Sequence, residues 1–181
     1  MLARCSLAVA FLVASACSDQ TGPNERVQEQ ALQPASATFT IQMLDRCEPT
    51  SFNTALGEED HCVGDGKVTF SEFVAELQKK QVHHQWRFQP GELALKADRP
   101  FTAVNLGGEE HTFTEVEEFG GGFVPVLNML SGNPVPAPEC LGAVELVEPG
   151  EMTEVEEEEE GTVLYQCCIH PWMRTTLEVH R

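Results

Sequence analysis

Basic residues are scarce in this chain: 11 Lys and Arg stand against 29 Asp and Glu, for a formal net charge of -18. Nucleic-acid binding rests on basic patches that neutralise phosphates, so nucleic acid is excluded as a partner and a protein drawn to this surface is basic. Long apolar runs are lacking as well. The N-terminal run Leu7 to Val13 is too short to cross a bilayer, which takes about 20 apolar residues. Length sets a further limit, because 181 residues leave room for one domain of ordinary size plus an N-terminal extension but not for a second large domain. No nucleophile–base pair and no substrate pocket is legible.

The N-terminus reads as an export signal, residues 1–16, with Arg4 as a minimal charged region, Leu7 to Val13 as the apolar core and small residues after it. Two cleavage readings meet at Ala14-Ser15-Ala16-Cys17: an ordinary signal peptidase site, or a lipoprotein site with Cys17 as the lipid anchor. The lipoprotein reading is preferred, which makes that lipid the only link to a membrane. Either way the mature chain is exported, to the periplasmic or cell-surface side of a bacterial membrane. Residues 17–36 are polar, cannot bury a core and suit a flexible tether.

What the chain does have is concentrated near its C-terminus, in Tyr165-Gln166-Cys167-Cys168-Ile169-His170-Pro171-Trp172-Met173. Cys167, His170 and Met173 recur at intervals of three, offering a thiolate, an imidazole and a thioether in one loop. A second imidazole would complete a copper site, since two histidines and a cysteine with a distant axial methionine form the blue-copper arrangement. His111, in Gly107-Gly108-Glu109-Glu110-His111-Thr112-Phe113, is the best remaining donor. A zinc site from the same residues is disfavoured because methionine is a poor zinc ligand. His83 and His84 are expected to face solvent, and His61 and His180 lack a nearby donor set.

The pattern Cys-x-x-His-Pro-aromatic-Met, followed by a basic residue and a β-prone tail, resembles the ligand loop of the plastocyanin-like and amicyanin-like cupredoxins. Phe88, Pro90, Leu93, Leu95, Ala97 and Asp98, then Phe101 to Asn105 and His111 to Phe113, are similar to the first half of the same domain. The resemblance covers about residues 85–181. It implies a mainly β, Greek-key β-sandwich holding one type 1 copper ion, with His111, Cys167, His170 and Met173 as ligands. It also implies outer-sphere electron transfer through a His170 ring edge that reaches the surface. The gap between His111 and Cys167 is longer than in amicyanin, and residues 117–142 are too irregular for a single strand.

Seven cysteines suit an oxidising compartment. With Cys5 in the signal, Cys17 as anchor and Cys167 on copper, four remain. Sequence proximity pairs Cys47 with Cys62 and Cys140 with Cys168, the alternative being free buried thiols. Adjacent strand residues face opposite ways, so Cys167 and Cys168 should differ in role.

Residues 37–84 read as a small helical, disulfide-pinned extension ahead of the copper domain at 85–181. Thr69 and Glu72 make a capping box for a helix from Phe70, whose Phe70, Phe73, Val74 and Leu77 share one face. That face must pack on the sandwich or within its own lobe. Thr50 to Leu56, stopped by Gly57, is a second short helix. Asp65, Gly66 and Glu72 echo an EF-hand loop, but His61 and Val63 stand where oxygen ligands are needed. Strands are expected at Leu93–Ala97, Phe101–Asn105, His111–Val116, Ala143–Val147, Gly161–Gln166 and Thr175–Val179, paired antiparallel. The acidic run Glu156 to Glu160 is a solvated turn or a steering surface for a basic redox partner.

The expected activity is therefore one-electron transfer by an exported copper protein that is not an enzyme. An extracytoplasmic copper carrier or buffer could use the same ligands, and a mononuclear copper enzyme would need an open coordination position. Multicopper oxidase chemistry is disfavoured because the chain has no His-x-His pair.

Overall fold

A computed structural model describes residues 39–156 and 159–181. The signal at 1–16, the anchor Cys17 and the tether at 17–36 lie outside the described residues, as do two glutamates of the acidic run. The described residues belong to one compact unit, Ser36–Arg181. None of their helices is long and apolar enough to cross a membrane.

Among the described residues ten strands carry the architecture: β1 (Phe39–Leu44), β2 (Arg87–Gln89), β3 (Glu92–Lys96), β4 (Phe101–Asn105), β5 (His111–Thr112), β6 (Thr114–Val116), β7 (Leu146–Val147), β8 (Met152–Val155), β9 (Gly161–Gln166) and β10 (Arg174–His180). One sheet runs in the order β2-β1-β4-β8, a second in the order β3-β10-β9-β6, and β5 pairs with β7. Alternation decides which faces meet. Ile41 and Met43 of β1, Phe101 and Ala103 of β4, and Leu177 and Val179 of β10 are buried in one common core. Across it Phe101 meets Phe113 and Tyr165 at 6.1 and 6.2 Å between ring centroids. The fold is thus a mainly β sandwich with modest helical content.

Two features depart from expectation. Pairing is not uniformly antiparallel: β1 lies parallel to β4, and β10 parallel to β3. Parallel neighbours need long crossovers, and the helical segment between β1 and β2 supplies length of that kind. Secondly, the boundary expected between 37–84 and 85–181 is not a break in the structure. β1 sits between β2 and β4, and Ile41 and Met43 are fully buried in the shared core. Residues from 39 onward therefore build the sandwich itself.

The helices follow their sequence signals. α1 (Pro49–Leu56) starts with Glu48 accepting from the backbone N–H of Thr50 and Ser51, and ends at Gly57 in the left-handed region, φ 75°. α2 (Phe70–Lys80) has the complete Thr69–Glu72 capping box. Its Phe73 and Leu77 are buried, and Phe73 packs on Phe52 at 5.5 Å and on Trp86 at 4.7 Å. Both packings open to this face are realised: Phe70 and Phe73 meet Phe52 of α1, and Phe73 also meets Trp86, His170 and Trp172. A disulfide joins Cys47 and Cys62 around α1, and a second joins Cys140 and Cys168. The latter ties a 3-10 turn, Pro138–Leu141, to the C-terminal loop. Within 117–142, α3 (Pro125–Leu130) is held by Asn128, whose side chain both accepts from Gly122 N–H and donates to Gly122 C=O.

Candidate metal centre

His111 opens β5, where pairing with Val147 of β7 fixes its backbone. Cys167 follows directly on β9, and the chain must reverse within a few residues to start β10 at Arg174. That reversal is a tight loop closed by Cys167 N–H to Met173 C=O (3.0 Å) and Met173 N–H to His170 C=O (2.8 Å). Its curvature turns His170 back over Cys167. The Cys167 Sγ consequently lies 3.9 Å from Nδ1 of His111 and 3.9 Å from Nδ1 of His170. All three donor atoms fall within 4.8 Å of one another, and all three residues are buried. Met173 is also fully buried.

The surroundings hold these donors in place. Backbone N–H groups of Thr112 and His170 both donate to Cys167 Sγ at 3.4 Å. The Thr112 hydroxyl accepts from Cys168 N–H at 2.7 Å and so fixes the residue beside the thiolate. Behind His111 stands Asp45, a residue with no signal in the sequence. Its Oδ2 is 3.1 Å from His111 Nε2 and accepts from the N–H groups of Gly108 (2.8 Å) and Glu109 (3.0 Å). Gly107 is required here, because a Cβ at that position would overlap the Asp45 carboxylate.

Charge is balanced within this buried cluster. Burial pushes the Cys167 thiol up, but hydrogen bonds from His111 and His170 and their charges outweigh it, leaving the thiol well below its ordinary range. Burial likewise disfavours charge on His111, yet Asp45 and Cys167 hold it protonated, with its pKa raised to about 10. For Asp45, burial is overcome by His111 and the two backbone donors, so its carboxyl is lowered. These directions favour a thiolate beside a charged imidazole and a carboxylate in the metal-free cluster, and a metal bound there would displace the proton on His111 Nδ1.

His170 corrects the expectation of an exposed ring edge, since the residue is only 3% exposed. Phe73 of α2 meets its ring edge-on at 6.4 Å and 90°, and Trp172 packs at 5.5 Å. The cover comes from α2, whose amphipathic face needed burial and found it here. Beyond that cover, an open pocket of about 580 Å³ is lined by Glu58, Asp60, His61, Glu110 and Glu148, and reaches Glu109 and His170. An apolar pocket of about 180 Å³ beside it takes its walls from α2 and from Val124, Val126 and Leu127.

The other histidines also differ from expectation. His61 does have partners, at 3.1 Å from both Glu58 and Glu109. His83 is buried, 4.5 Å from the Trp86 ring, because α2 folds that segment against the core; of this pair His84 alone faces solvent. Glu76, His83 and His84 form a second donor group, but Lys80 and the His84 N–H already engage Glu76.

A thiolate and two imidazoles, converging and shielded from water, fit a single type 1 copper ion. No family profile matches the sequence, and a comparison with curated proteins finds no match. Solved structures do resemble it. A purple cupredoxin from Nitrosopumilus maritimus aligns over 78% of this chain and 99% of its own, at 14% identity and a TM-score of 0.45. Plastocyanin from Dryopteris crassirhizoma aligns over 78% and 99%, at 12% identity and 0.41. An oxidised amicyanin variant aligns over 82% and 88%, at 13% identity and 0.41. The sandwich and its donor set are read from this chain's own strands and residues.

Proposed function

We propose that this chain is an exported type 1 copper protein that carries single electrons. The observation that supports it is the buried convergence of His111 Nδ1, Cys167 Sγ and His170 Nδ1. Copper bound there would supply a one-electron Cu(I)/Cu(II) couple. The residues contribute by holding still: two N–H donors fix the sulfur, Asp45 orients His111, and the Cys140–Cys168 bridge ties down the adjacent strand end. A site that moves little between oxidation states exchanges electrons readily. Met173, buried in the same loop, is the proposed weak axial ligand. Burial of every donor residue favours a carrier over an enzyme, which needs an open position.

Export and anchoring through Cys17 belong to the same proposal. Two disulfides support an oxidising compartment. The acidic rim of the pocket leading to His170 supports a basic redox partner, since complementary charge speeds encounter. The test is to load the purified metal-free chain with Cu(II) and record visible and paramagnetic-resonance spectra, expecting an intense thiolate-to-copper band that azide does not alter. Absence of that band refutes the reading, and an azide-sensitive band favours a copper enzyme.

A further inference from the structure

We propose that Glu109 is a positioning residue for His170, its buried carboxylate standing behind the outer nitrogen of that imidazole and lowering the reduction potential of the site. This rests on the copper reading above. The inner nitrogen of His170, Nδ1, faces Cys167 Sγ, which leaves Nε2 pointing away from the donor cluster. Glu109 Oε2 lies 3.9 Å from that Nε2, and the carboxylate is only 3% exposed.

The carboxylate is held from two directions. Trp86 Nε1–H donates to Oε2 at 2.6 Å, and His61 Nε2 lies 3.1 Å from Oε1. The Glu109 backbone is pinned too, its C=O accepting from Asn105 Nδ2 at 2.8 Å and its N–H donating to Asp45 at 3.0 Å. Burying a carboxylate is expensive without positive charge nearby. The Trp86 donor is neutral, so the charged counterpart on the pocket side is His61, and on the other side stands His170 with the metal it would hold. Asp45 stands within hydrogen-bond distance of His111 Nε2, at 3.1 Å, while Glu109 stands 3.9 Å from His170 Nε2 and reaches it through its charge. Outer carboxylates orient ligating histidines and raise their basicity. Negative charge fixed this close to the site also favours Cu(II) over Cu(I).

A purely structural Glu109 would be replaced adequately by glutamine, which keeps an acceptor for Trp86 and loses only charge. The test is voltammetry and visible spectra of the copper-loaded full chain, wild type against Glu109→Gln and His61→Gln. Glu109→Gln is expected to keep the thiolate band and shift the Cu(I):Cu(II) ratio at a fixed potential about tenfold toward Cu(I), a rise of about 59 mV for one electron. His61→Gln, at the pocket side, removes the opposing cation and should lower the potential. Should Glu109→Gln fail to fold, the His61→Gln arm reads the same charge with the opposite sign. Intact bands with unmoved potentials, or shifts of the same sign in both variants, overturn the role of Glu109 while leaving the copper reading standing. A wild-type chain without the band overturns both.

Discussion

Cys167 and Cys168 are neighbours in sequence with opposite duties, and replacing each by serine should separate the two cleanly. Cys167→Ser removes the thiolate that stands 3.9 Å from both imidazoles but leaves both disulfides intact. Cys168→Ser leaves the donor cluster and breaks the bridge to Cys140, which closes 28 residues of chain. In the chain-entropy account, a loop of that length is worth about 3.6 kcal/mol. At about 3 °C per kcal/mol for a unit of this size, Cys168→Ser should lower Tm by about 11 °C. Visible spectra of the copper-loaded variants and thermal unfolding of the metal-free ones read the two effects independently. The expected result is loss of the intense band with an intact disulfide framework for Cys167→Ser, and retention of the band with a large loss of Tm for Cys168→Ser. Retention of the band in Cys167→Ser and its loss in Cys168→Ser would refute the ligand register.

Met173→Leu should keep the thiolate–copper band and raise the reduction potential, because removing a weak donor disfavours Cu(II) more than Cu(I); an unchanged potential by voltammetry would make Met173 a packing residue. Phe73→Ala should destabilise the metal-free chain by about 3 kcal/mol in denaturant unfolding, as expected for a buried ring. It should also speed oxidation by a small anionic oxidant, since the ring edge-on to His170 is gone; an unchanged rate would mean that α2 does not gate the site. His61 is held up to about 8 by its hydrogen bond to Glu109, with burial opposing and Glu58 assisting. A raised folded-state pKa stabilises fully below the unfolded value of about 6.5 and is lost as pH rises through about 8. With solvent screening at a side chain 35% exposed, this is worth about 1 kcal/mol. Denaturant midpoints of wild type and His61→Gln should therefore converge between pH 6 and pH 9, and a constant gap would refute the coupling.

Covering His170 changes how the site meets a partner. With the ring edge under Phe73 and Trp172, electron transfer has to cross that aromatic layer or the acidic pocket that reaches Glu109. The layer exists because α2 has one apolar face, with Phe73 and Leu77 fully inward.

Local chemistry was legible in the sequence wherever its cause is local. The Thr69–Glu72 capping box, the Gly57 stop and the one-faced spacing of α2 depend on neighbours within a few residues, and the structure realises them. Cys167 and His170 were legible because one tight loop presents both, so their spacing already carries the geometry. His111 was named as the best remaining donor and through the resemblance, since it lies 56 residues before Cys167 and the sandwich alone brings them together. β1 escaped notice because its place beside β4 comes from parallel pairing across a long crossover, for which sequence has no turn signal. Asp45 and Glu109 were silent for the same kind of reason. A carboxylate is ordinary in a chain with 29 of them, and burial beside a ligand histidine is what distinguishes these two. Sequence thus determined the donor types and the loop that presents them. The tertiary structure decided which distant residues stand behind those donors and that His170 is covered, because both depend on how the two sheets and α2 close on one another.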